Sequence, residues 1–371
     1  MNKLKTLFAM AFFVVLSSAN AQKNKTYTLQ SFDQLITLTM DVGEKIQWAV
    51  EHDGQQIIAP SAVSLELMNG EVLGNKPIII ADETSRTDET FNAILYKRNV
   101  VTDQYNQLCI QFEGNYSLTF RVYNDGVAYR FETQRKDELT IKNEEANFNF
   151  TANHKAFIPY MWDYRDDEKF IHSFESLYRE QQISEFSTDS LAFLPLLVDV
   201  GNGKKAVILE ADLHDYPGMY LNLNSTQKGF MGEFAKYPLE TRIGGYENMN
   251  EIPTKRADYI AKTAGTRTFP WRVVVISKHD KELLDNDMVQ KLSPPCAIED
   301  PSWITPGLTA WDWWNDWNIS HVDFEAGYNT LTFKHYIDFA AENNLQYIII
   351  DWGWSSKTDL FEMVVPELDV K

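Results

Sequence analysis

The chain has 371 residues, of which 44% are hydrophobic and 13% aromatic, so it can fill more than one core. Its formal net charge of -19 argues against nucleic acid or anionic membranes as partners, since both favour basic surfaces. A neutral substrate fits this charge better. The two cysteines, Cys109 and Cys296, exclude a disulfide-built scaffold and a multi-cysteine zinc site, and leave one bridge between them open.

Residues 1–21 are predicted to be a secretory signal peptide. Lys3 and Lys5 make a basic start, Leu7 to Leu16 is an apolar run, and Ala19-Asn20-Ala21 is a small-residue cleavage site. The run is shorter than the roughly 20 apolar residues of a membrane span, and no second run approaches that length. We therefore expect a mature protein without a membrane span that starts at Gln22 and is periplasmic or secreted.

Residues 22–294 are predicted to form a large antiparallel β-super-sandwich. Short alternating runs, broken by Gly, Asn and Asp, extend from Tyr27 to Ile276. The strongest local signal is Asn124-Asp125-Gly126, which joins two alternating apolar runs and is typical of a β-hairpin. The length of the region favours a sandwich over one small barrel.

Residues 295–371 are predicted to start a (β/α)8 barrel. Pro294-Pro295 cannot continue a strand ladder and marks the boundary. Leu308 to Trp311 suits a short strand, and Tyr347 to Ile350 suits a parallel strand buried on both faces. A complete barrel takes about 250 residues, so we expect this one to be truncated and the chain to be a fragment.

A helix is predicted between these two strands. The spacing from Thr332 places Phe333, Ile337 and Ala341 on one face, and Asn343-Asn344 supplies a carboxyl cap. Strand, helix and strand together form the repeating unit of an α/β barrel.

The carboxyl ends of the two predicted strands are the candidate site, because barrel enzymes place their active sites there. Indole rings stack on sugar rings while Asp and Asn bind hydroxyls, so the sequence suits a saccharide pocket. The candidate substrate-binding residues are Trp311, Asp312, Trp313, Asp351, Trp352 and Trp354. Core packing remains the alternative for each tryptophan, and capping of the next loop is the alternative for Asp351.

Other site chemistries have weaker signals. The acid-rich segment from Trp162 to Glu180 could supply calcium ligands, but it lacks EF-hand spacing and also suits a solvated surface. His172, His321 and His335 show no zinc spacing. Motifs for a serine nucleophile or a nucleotide are not present in the sequence.

Several short motifs together carry a family resemblance. In chain order they are Glu210-Ala211-Asp212-Leu213, Asp215-Tyr216-Pro217-Gly218-Met219-Tyr220, Phe269-Pro270-Trp271-Arg272, Pro306-Gly307, Trp311 to Trp317, Tyr336-Ile337-Asp338-Phe339-Ala340 and Asp351-Trp352-Gly353-Trp354. With these motifs, the mature chain resembles glycoside hydrolase family 97. Members of that family join a β-super-sandwich, a catalytic (β/α)8 barrel and a carboxyl-terminal β domain.

The resemblance implies an exported, calcium-dependent α-glycosidase that acts on terminal α-galactosyl or α-glucosyl residues of an oligosaccharide. The tryptophan-rich segment followed by Asp351-Trp352-Gly353-Trp354 is similar to the retaining, α-galactosidase-like branch. Trp352 departs from relatives that carry an acid between that aspartate and the glycine. We expect the protein to be a monomer or a homodimer.

The resemblance also implies where the catalytic and metal-binding groups lie. The nucleophile and the acid/base follow later barrel strands, beyond Lys371, so no catalytic residue is assigned within the chain and the chain alone is expected to be inactive. A sandwich glutamate helps bind calcium in relatives. Glu175, within Phe174-Glu175-Ser176-Leu177-Tyr178, is the best match, and Glu180 is the alternative.

Two functions of other kinds remain as alternatives at this point. A non-catalytic carbohydrate-binding β-sandwich protein would need a stable, sugar-binding fragment of residues 22–295, although such a protein has no need of the barrel-like segment. A mutarotase-like epimerase would need His and Glu facing one cleft, and the scattered histidines do not indicate this.

Overall fold

The computed structural model describes residues 24–161, 169–245 and 250–351. The strands are β1 (Lys25–Gln30), β2 (Ile36–Val42), β3 (Ile46–His52), β4 (Gln55–Leu67), β5 (Val72–Leu73), β6 (Ile79–Asn92), β7 (Val100–Phe112), β8 (Tyr116–Tyr123), β9 (Gly126–Gln134), β10 (Leu139–Asn149), β11 (Lys155–Ile158), β12 (Arg179–Gln182), β13 (Leu196–Gly201), β14 (Lys204–Ala211), β15 (Tyr220–Leu223), β16 (Gly229–Glu233), β17 (Pro238–Gly244), β18 (Asn250–Arg256), β19 (Ala261–Thr263), β20 (Thr266–Thr268), β21 (Trp271–Ser277), β22 (Thr309–Trp311) and β23 (Tyr347–Ile349). The helices are α1 (Lys281–Leu284), α2 (Met288–Leu292) and α3 (Thr330–Glu342).

Two large antiparallel sheets account for most of the strands. In the first, the order is β1-β2-β3-β4-β10-β16-β15, with β5 beside β4 and β19 beside β10. In the second, the order is β12-β11-β13-β14-β21-β9-β8-β7-β6, with β20 beside β9. Strand β21 lies between β14 and β9, and all seven of its residues are buried. The predicted antiparallel β architecture is confirmed.

One apolar core joins the inner faces of the two sheets. Trp48, on β3 of the first sheet, lies 5.4 Å from Tyr129 and 6.4 Å from Phe120 in the second sheet, measured between ring centroids. Strand β3 shows the alternation that the sequence predicts, with Ile46, Trp48 and Val50 buried. Such alternation buries one face of each strand, which is how a sandwich is built.

The predicted hairpin is confirmed. Strands β8 and β9 pair from Tyr116↔Thr133 to Tyr123↔Gly126, so Asn124 and Asp125 form a two-residue turn. Glycine is needed at position 126 because the neighbouring strand lies close to it. A Cβ here would lie 2.6 Å from the Val274 carbonyl oxygen of β21. Cys109, on the neighbouring strand β7, and Cys296 are both free, so the bridge left open by the sequence is not formed.

The predicted strand, helix and strand unit is present as β22, α3 and β23. The two strands pair in parallel, Asn329 caps the helix by accepting from the Thr332 backbone N–H, and Asn344 has the left-handed φ of 56° suited to a carboxyl cap. The boundary at Pro294-Pro295 and the truncated barrel remain predictions.

The buried surfaces of this unit differ from the prediction. Helix α3 buries Thr332, Phe333 and Ala340, whereas Ile337 is 50% exposed and Ala341 is also exposed. Strand β23 is partly exposed as well, with Tyr347 at 44%. The physical reason is that, in the described part, each strand has one neighbour, so only one edge and one face are covered.

Candidate sugar-binding edge

The two parallel strands bring the predicted site residues to one edge. The register pairs Thr309 with Tyr347 and Trp311 with Ile349, so both strands end at the same side. There the Trp311 indole Nε1 donates a hydrogen bond to Asp351 Oδ2 at 3.0 Å, across 40 residues of sequence. The prediction that the two carboxyl ends meet is therefore reflected in a direct contact.

The tryptophan-rich segment turns sharply after β22. A 3-10 turn covers Asp312–Asn315, and Asp316 and Trp317 then adopt left-handed φ angles of 56° and 53°. This reversal leaves Trp311 37% exposed and Trp313 48% exposed. Exposed indole faces beside a carboxylate are compatible with a sugar ring, which can pack its C–H face on an indole and form hydrogen bonds through its hydroxyls.

Asp312 is placed differently from the other candidates. Its side chain is 1% exposed, and its Oδ2 accepts a hydrogen bond from the Trp317 indole at 2.7 Å. The Trp317 ring in turn lies 4.8 Å from Trp313 and 6.2 Å from Tyr328, measured between ring centroids. Asp312 therefore holds the tryptophan segment in place from its buried side. Trp311, Trp313 and Asp351 lie on the accessible side, where a ligand can reach them.

A contact that the sequence did not predict fixes this segment to the helix. The Tyr336 hydroxyl donates to Asn315 Oδ1 at 2.7 Å, which joins α3 to the turn after β22. Both residues lie in motifs that were noted for other reasons, and no local spacing signals their pairing.

Burial raises the pKa of the nearby Tyr328 hydroxyl, and the charge of Asp312 acts in the same direction. Trp352 and Trp354 lie outside the described residues.

The two glutamates predicted as calcium ligands have different surroundings. Glu175 is exposed, and its Oε1 accepts a hydrogen bond from the Ser173 hydroxyl at 3.0 Å. Glu180, on β12, forms an ion pair with Lys155 at 2.5 Å. Within residues 24–161, 169–245 and 250–351, no cluster of three or more His, Cys, Asp or Glu is placed to hold a metal ion. Of the two, Glu175 has the freer carboxylate.

Sequence reasoning missed a charged cluster that is buried within the sandwich. Arg272 on β21 donates through Nε and Nη2 to the two oxygens of Glu144 at 2.7 Å each, and through Nη1 to Glu210 at 2.5 Å. Glu210 and Arg272 both belong to the motifs that carry the family resemblance, and this was the one signal in the sequence that could have drawn attention to the cluster. Their burial shows that these motifs support the fold.

No helix in the described ranges is long and apolar enough to cross a membrane.

Comparison with known proteins agrees with this architecture. Residues 29–295 match the family described as Glycosyl-hydrolase 97 N-terminal, and residues 313–371 match Glycoside hydrolase 97. Two solved structures share the fold. One is a Glycoside Hydrolase Family 97 enzyme in complex with acarbose from Pseudoalteromonas sp. strain K8, with a TM-score of 0.72, 22% identity, and coverage of 89% of this chain and 48% of that one. The other is a beta-arabinopyranosidase, with a TM-score of 0.74, 19% identity, and coverage of 89% and 51%.

Curated relatives extend the match in sequence. The chain is 37% identical over 362 residues to a retaining alpha-galactosidase of Bacteroides thetaiotaomicron, covering 96% of this chain and 54% of that protein. It is 22% identical over 325 residues to a probable retaining alpha-galactosidase of Streptomyces bingchenggensis, covering 86% and 44%. The chain thus spans about half the length of these relatives. Since the family match covers both the sandwich and the segment after β22, this chain belongs to glycoside hydrolase family 97.

Proposed function

We propose that this chain is the amino-terminal part of a retaining α-glycosidase that removes terminal α-galactosyl, or alternatively α-glucosyl, residues from oligosaccharides. The observation that carries the proposal is the 37% identity, over 96% of the chain, to a protein named retaining alpha-galactosidase. The edge formed by Trp311 and Asp351 supports it, because exposed indoles and a carboxylate suit a neutral sugar.

In this proposal the chain contributes to sugar binding, and the bond-breaking carboxylates lie beyond Lys371 on later strands of a (β/α)8 barrel. A retaining mechanism needs a nucleophile and an acid/base about 5 Å apart. The Asp351 carboxylate supplies an acceptor for a sugar hydroxyl, and its hydrogen bond with Trp311 fixes the orientation of the indole face. Both effects would hold the terminal sugar for attack.

Calcium dependence is part of the proposal, with one ligand from the sandwich. The exposed carboxylate of Glu175 suits an oxygen ligand, whereas Glu180 would first have to leave Lys155. In this proposal the described residues supply one calcium ligand, and the other ligands would come from the barrel. When bound, the ion would supply positive charge that favours developing negative charge near the sugar.

We further propose that the protein is exported through a signal peptide at residues 1–21 and works in the periplasm or outside the cell, as a monomer or homodimer. The basic start and the apolar run from Leu7 to Leu16 support export.

The test is hydrolysis of aryl α-galactosides and aryl α-glucosides by the complete gene product, with the product anomer followed by NMR. We expect α-galactose to appear first, and activity to fall on chelation and recover with Ca²⁺. A protein containing only residues 22–371 should be inactive. Robust hydrolysis by that shorter protein would place the catalytic groups within this chain and refute the proposed division. Sugar binding without any hydrolysis by the complete product would favour the non-catalytic alternative.

Asp351→Asn gives a sharper test of the sugar-binding edge. It keeps the shape of the side chain but removes a charged acceptor, so we expect kcat/KM to fall about ten- to hundredfold. Glu240→Gln, the equivalent change at an exposed carboxylate on β17, is the control and should leave kcat/KM unchanged. Equal activity of both variants would show that Asp351 has no part in binding.

A further inference from the structure

The turn after β22 holds two consecutive residues in an uncommon backbone conformation. Asp316 and Trp317 have left-handed φ angles of 56° and 53°. Aspartate adopts this region at a modest cost, but for a bulky aromatic residue such as Trp317 it is an outlier. Such a conformation persists only where the surrounding structure holds it. The geometry of this turn therefore depends on the contacts around it.

Two asparagines close the turn with a reciprocal pair of hydrogen bonds. Asn315 Nδ2 donates to the Asn318 carbonyl oxygen at 2.6 Å, and Asn318 Nδ2 donates to the Asn315 carbonyl oxygen at 2.9 Å. The backbone adds another closure, since the Trp317 N–H donates to the Asp312 carbonyl oxygen at 3.0 Å. The two left-handed residues thus lie between asparagines that bridge them.

A hydrogen bond from α3 fixes Asn315 from outside the turn. The Tyr336 hydroxyl donates to Asn315 Oδ1 at 2.7 Å. Oδ1 and Nδ2 belong to one planar amide, so the bond that holds Oδ1 also keeps Nδ2 directed at Asn318. Helix α3 packs against both β22 and β23, and it therefore gives the turn a fixed point of attachment.

The turn decides where the Trp313 ring lies. Trp317, which is half-buried, donates through Nε1 to Asp312 Oδ2 at 2.7 Å. The Trp313 ring lies edge-on to the Trp317 ring, with 4.8 Å between the centroids, and remains 48% exposed. One side of Trp313 thus rests on Trp317 while the rest faces solvent. A change in the turn that moves Trp317 would displace Trp313 as well.

The bond between Tyr336 and Asn315 has little to contribute to global stability. Asn315 is exposed and Tyr336 is half-buried, so water can replace either partner when the bond is lost. Its effect is instead on the orientation of the Asn315 amide, and through it on the turn. This separates the contact from the buried ion pairs of the sandwich, which act on the fold.

We propose that Tyr336 and Asn315 are positioning residues for sugar binding, because their hydrogen bond keeps the turn after β22 in its left-handed conformation and so holds the Trp313 ring where the sugar packs. Neither residue contacts the sugar in this proposal. The inference rests on the proposed function, since it assigns a role in binding to a contact that lies beside the edge formed by Trp311 and Asp351.

Tyr336→Phe in the complete gene product tests this role, because it removes only the hydroxyl. We expect KM for an aryl α-galactoside to rise about threefold to tenfold with kcat unchanged, since a displaced indole weakens binding of substrate and transition state alike. A loss of folded protein would instead lower kcat and leave KM unchanged. Tyr347→Phe is the matched control. It removes a hydroxyl that donates to the Thr305 carbonyl oxygen at the other end of β23, and it should change neither constant.

A second background tests whether Tyr336 acts through Trp313. In a Trp313→Ala protein the ring to be positioned is missing, so adding Tyr336→Phe should leave KM as it is in Trp313→Ala alone. The inference is overturned if Tyr336→Phe raises KM by the same factor in both backgrounds. An unchanged KM in the Tyr336→Phe single variant overturns it as well.

Hydroxyl-radical footprinting with mass spectrometry reads the turn without requiring hydrolysis. Oxidation of the half-buried Trp317 should rise severalfold in Tyr336→Phe and stay at the unmodified level in Tyr347→Phe. If the complete gene product hydrolyses no glycoside, the proposed function fails, whereas this rise in oxidation would still support the positioning of the turn. Unchanged oxidation of Trp317 in Tyr336→Phe overturns the inference and leaves the proposed function intact.

Discussion

Replacing Arg272 by methionine removes the charge that two buried carboxylates share. The Arg272 side chain is 1% exposed, and its partners Glu144 and Glu210 are 4% and 14% exposed. Methionine keeps much of the length of arginine and fills a similar space, but it donates no hydrogen bond. The change therefore isolates the loss of the cation from the loss of packing.

The expected loss of stability at neutral pH is about 3–5 kcal/mol, the cost of removing one partner from a buried ion pair. This loss of stability should depend on pH. Burial already raises the pKa of Glu210, and Arg272 is the largest influence that opposes this rise. A carboxyl whose folded pKa lies above its unfolded value loses stability as the pH rises from the unfolded towards the folded pKa. Without Arg272 this rise is larger, so the variant should lose more stability at pH 7 than at pH 5.

Urea unfolding at pH 5 and pH 7, followed by tryptophan fluorescence, measures both quantities. Arg242→Met, at an exposed arginine on β17, is the control and should change the free energy of unfolding by less than about 0.5 kcal/mol. The triple change of Arg272→Met with Glu144→Leu and Glu210→Gln should recover most of the loss. Glutamine retains an acceptor for the Met219 backbone N–H, which donates to Glu210 at 3.1 Å. A loss below about 1 kcal/mol at pH 7, or an equal loss at both pH values, would refute this reasoning.

Three further changes test the site and its supports. Asp312→Ala should free Trp317, weaken sugar binding severalfold in calorimetry and shift the tryptophan emission of the protein to longer wavelength, a shift that should be absent when Trp317 is replaced by Phe; unchanged emission would contradict a positioning role. Asn329→Ala removes the cap of α3 and should cost about 1 kcal/mol in urea unfolding, whereas Asn329→Ser should cost almost nothing. Gly126→Ala should cost about 1–3 kcal/mol by the same measurement, since its Cβ would meet the Val274 carbonyl; an unchanged midpoint would show that the strands can separate there.

Local signals predicted much of the fold. The Asn124-Asp125-Gly126 turn signal and the alternation around Trp48 are short-range patterns. The structure contains the hairpin, and it buries the alternating apolar residues around Trp48. The meeting of Trp311 and Asp351 followed from a rule about parallel strands, which end at the same edge.

Long-range charge pairing could not be predicted in the same way. Arg272 and Glu144 are 128 residues apart, and a charged residue in an alternating strand ordinarily indicates a solvated face. The burial of α3 was also predicted only in part. Its spacing defines an apolar stripe, but the neighbours present decide which part is covered, and Ile337 remains 50% exposed.

The position of β21 has a consequence for how the sandwich is assembled. It pairs on one side with β14, where Val207 faces Val275, and on the other with β9, where Val127 faces Val274. A strand near the end of the sandwich sequence is thus a central strand of the second sheet, and β9 and β14 have open edges until it arrives. Pairings between such distant segments form slowly, because the intervening loop must first close. A nascent chain would carry these two unpaired edges until Trp271–Ser277 emerges, and that interval is when the protein most needs protection from aggregation.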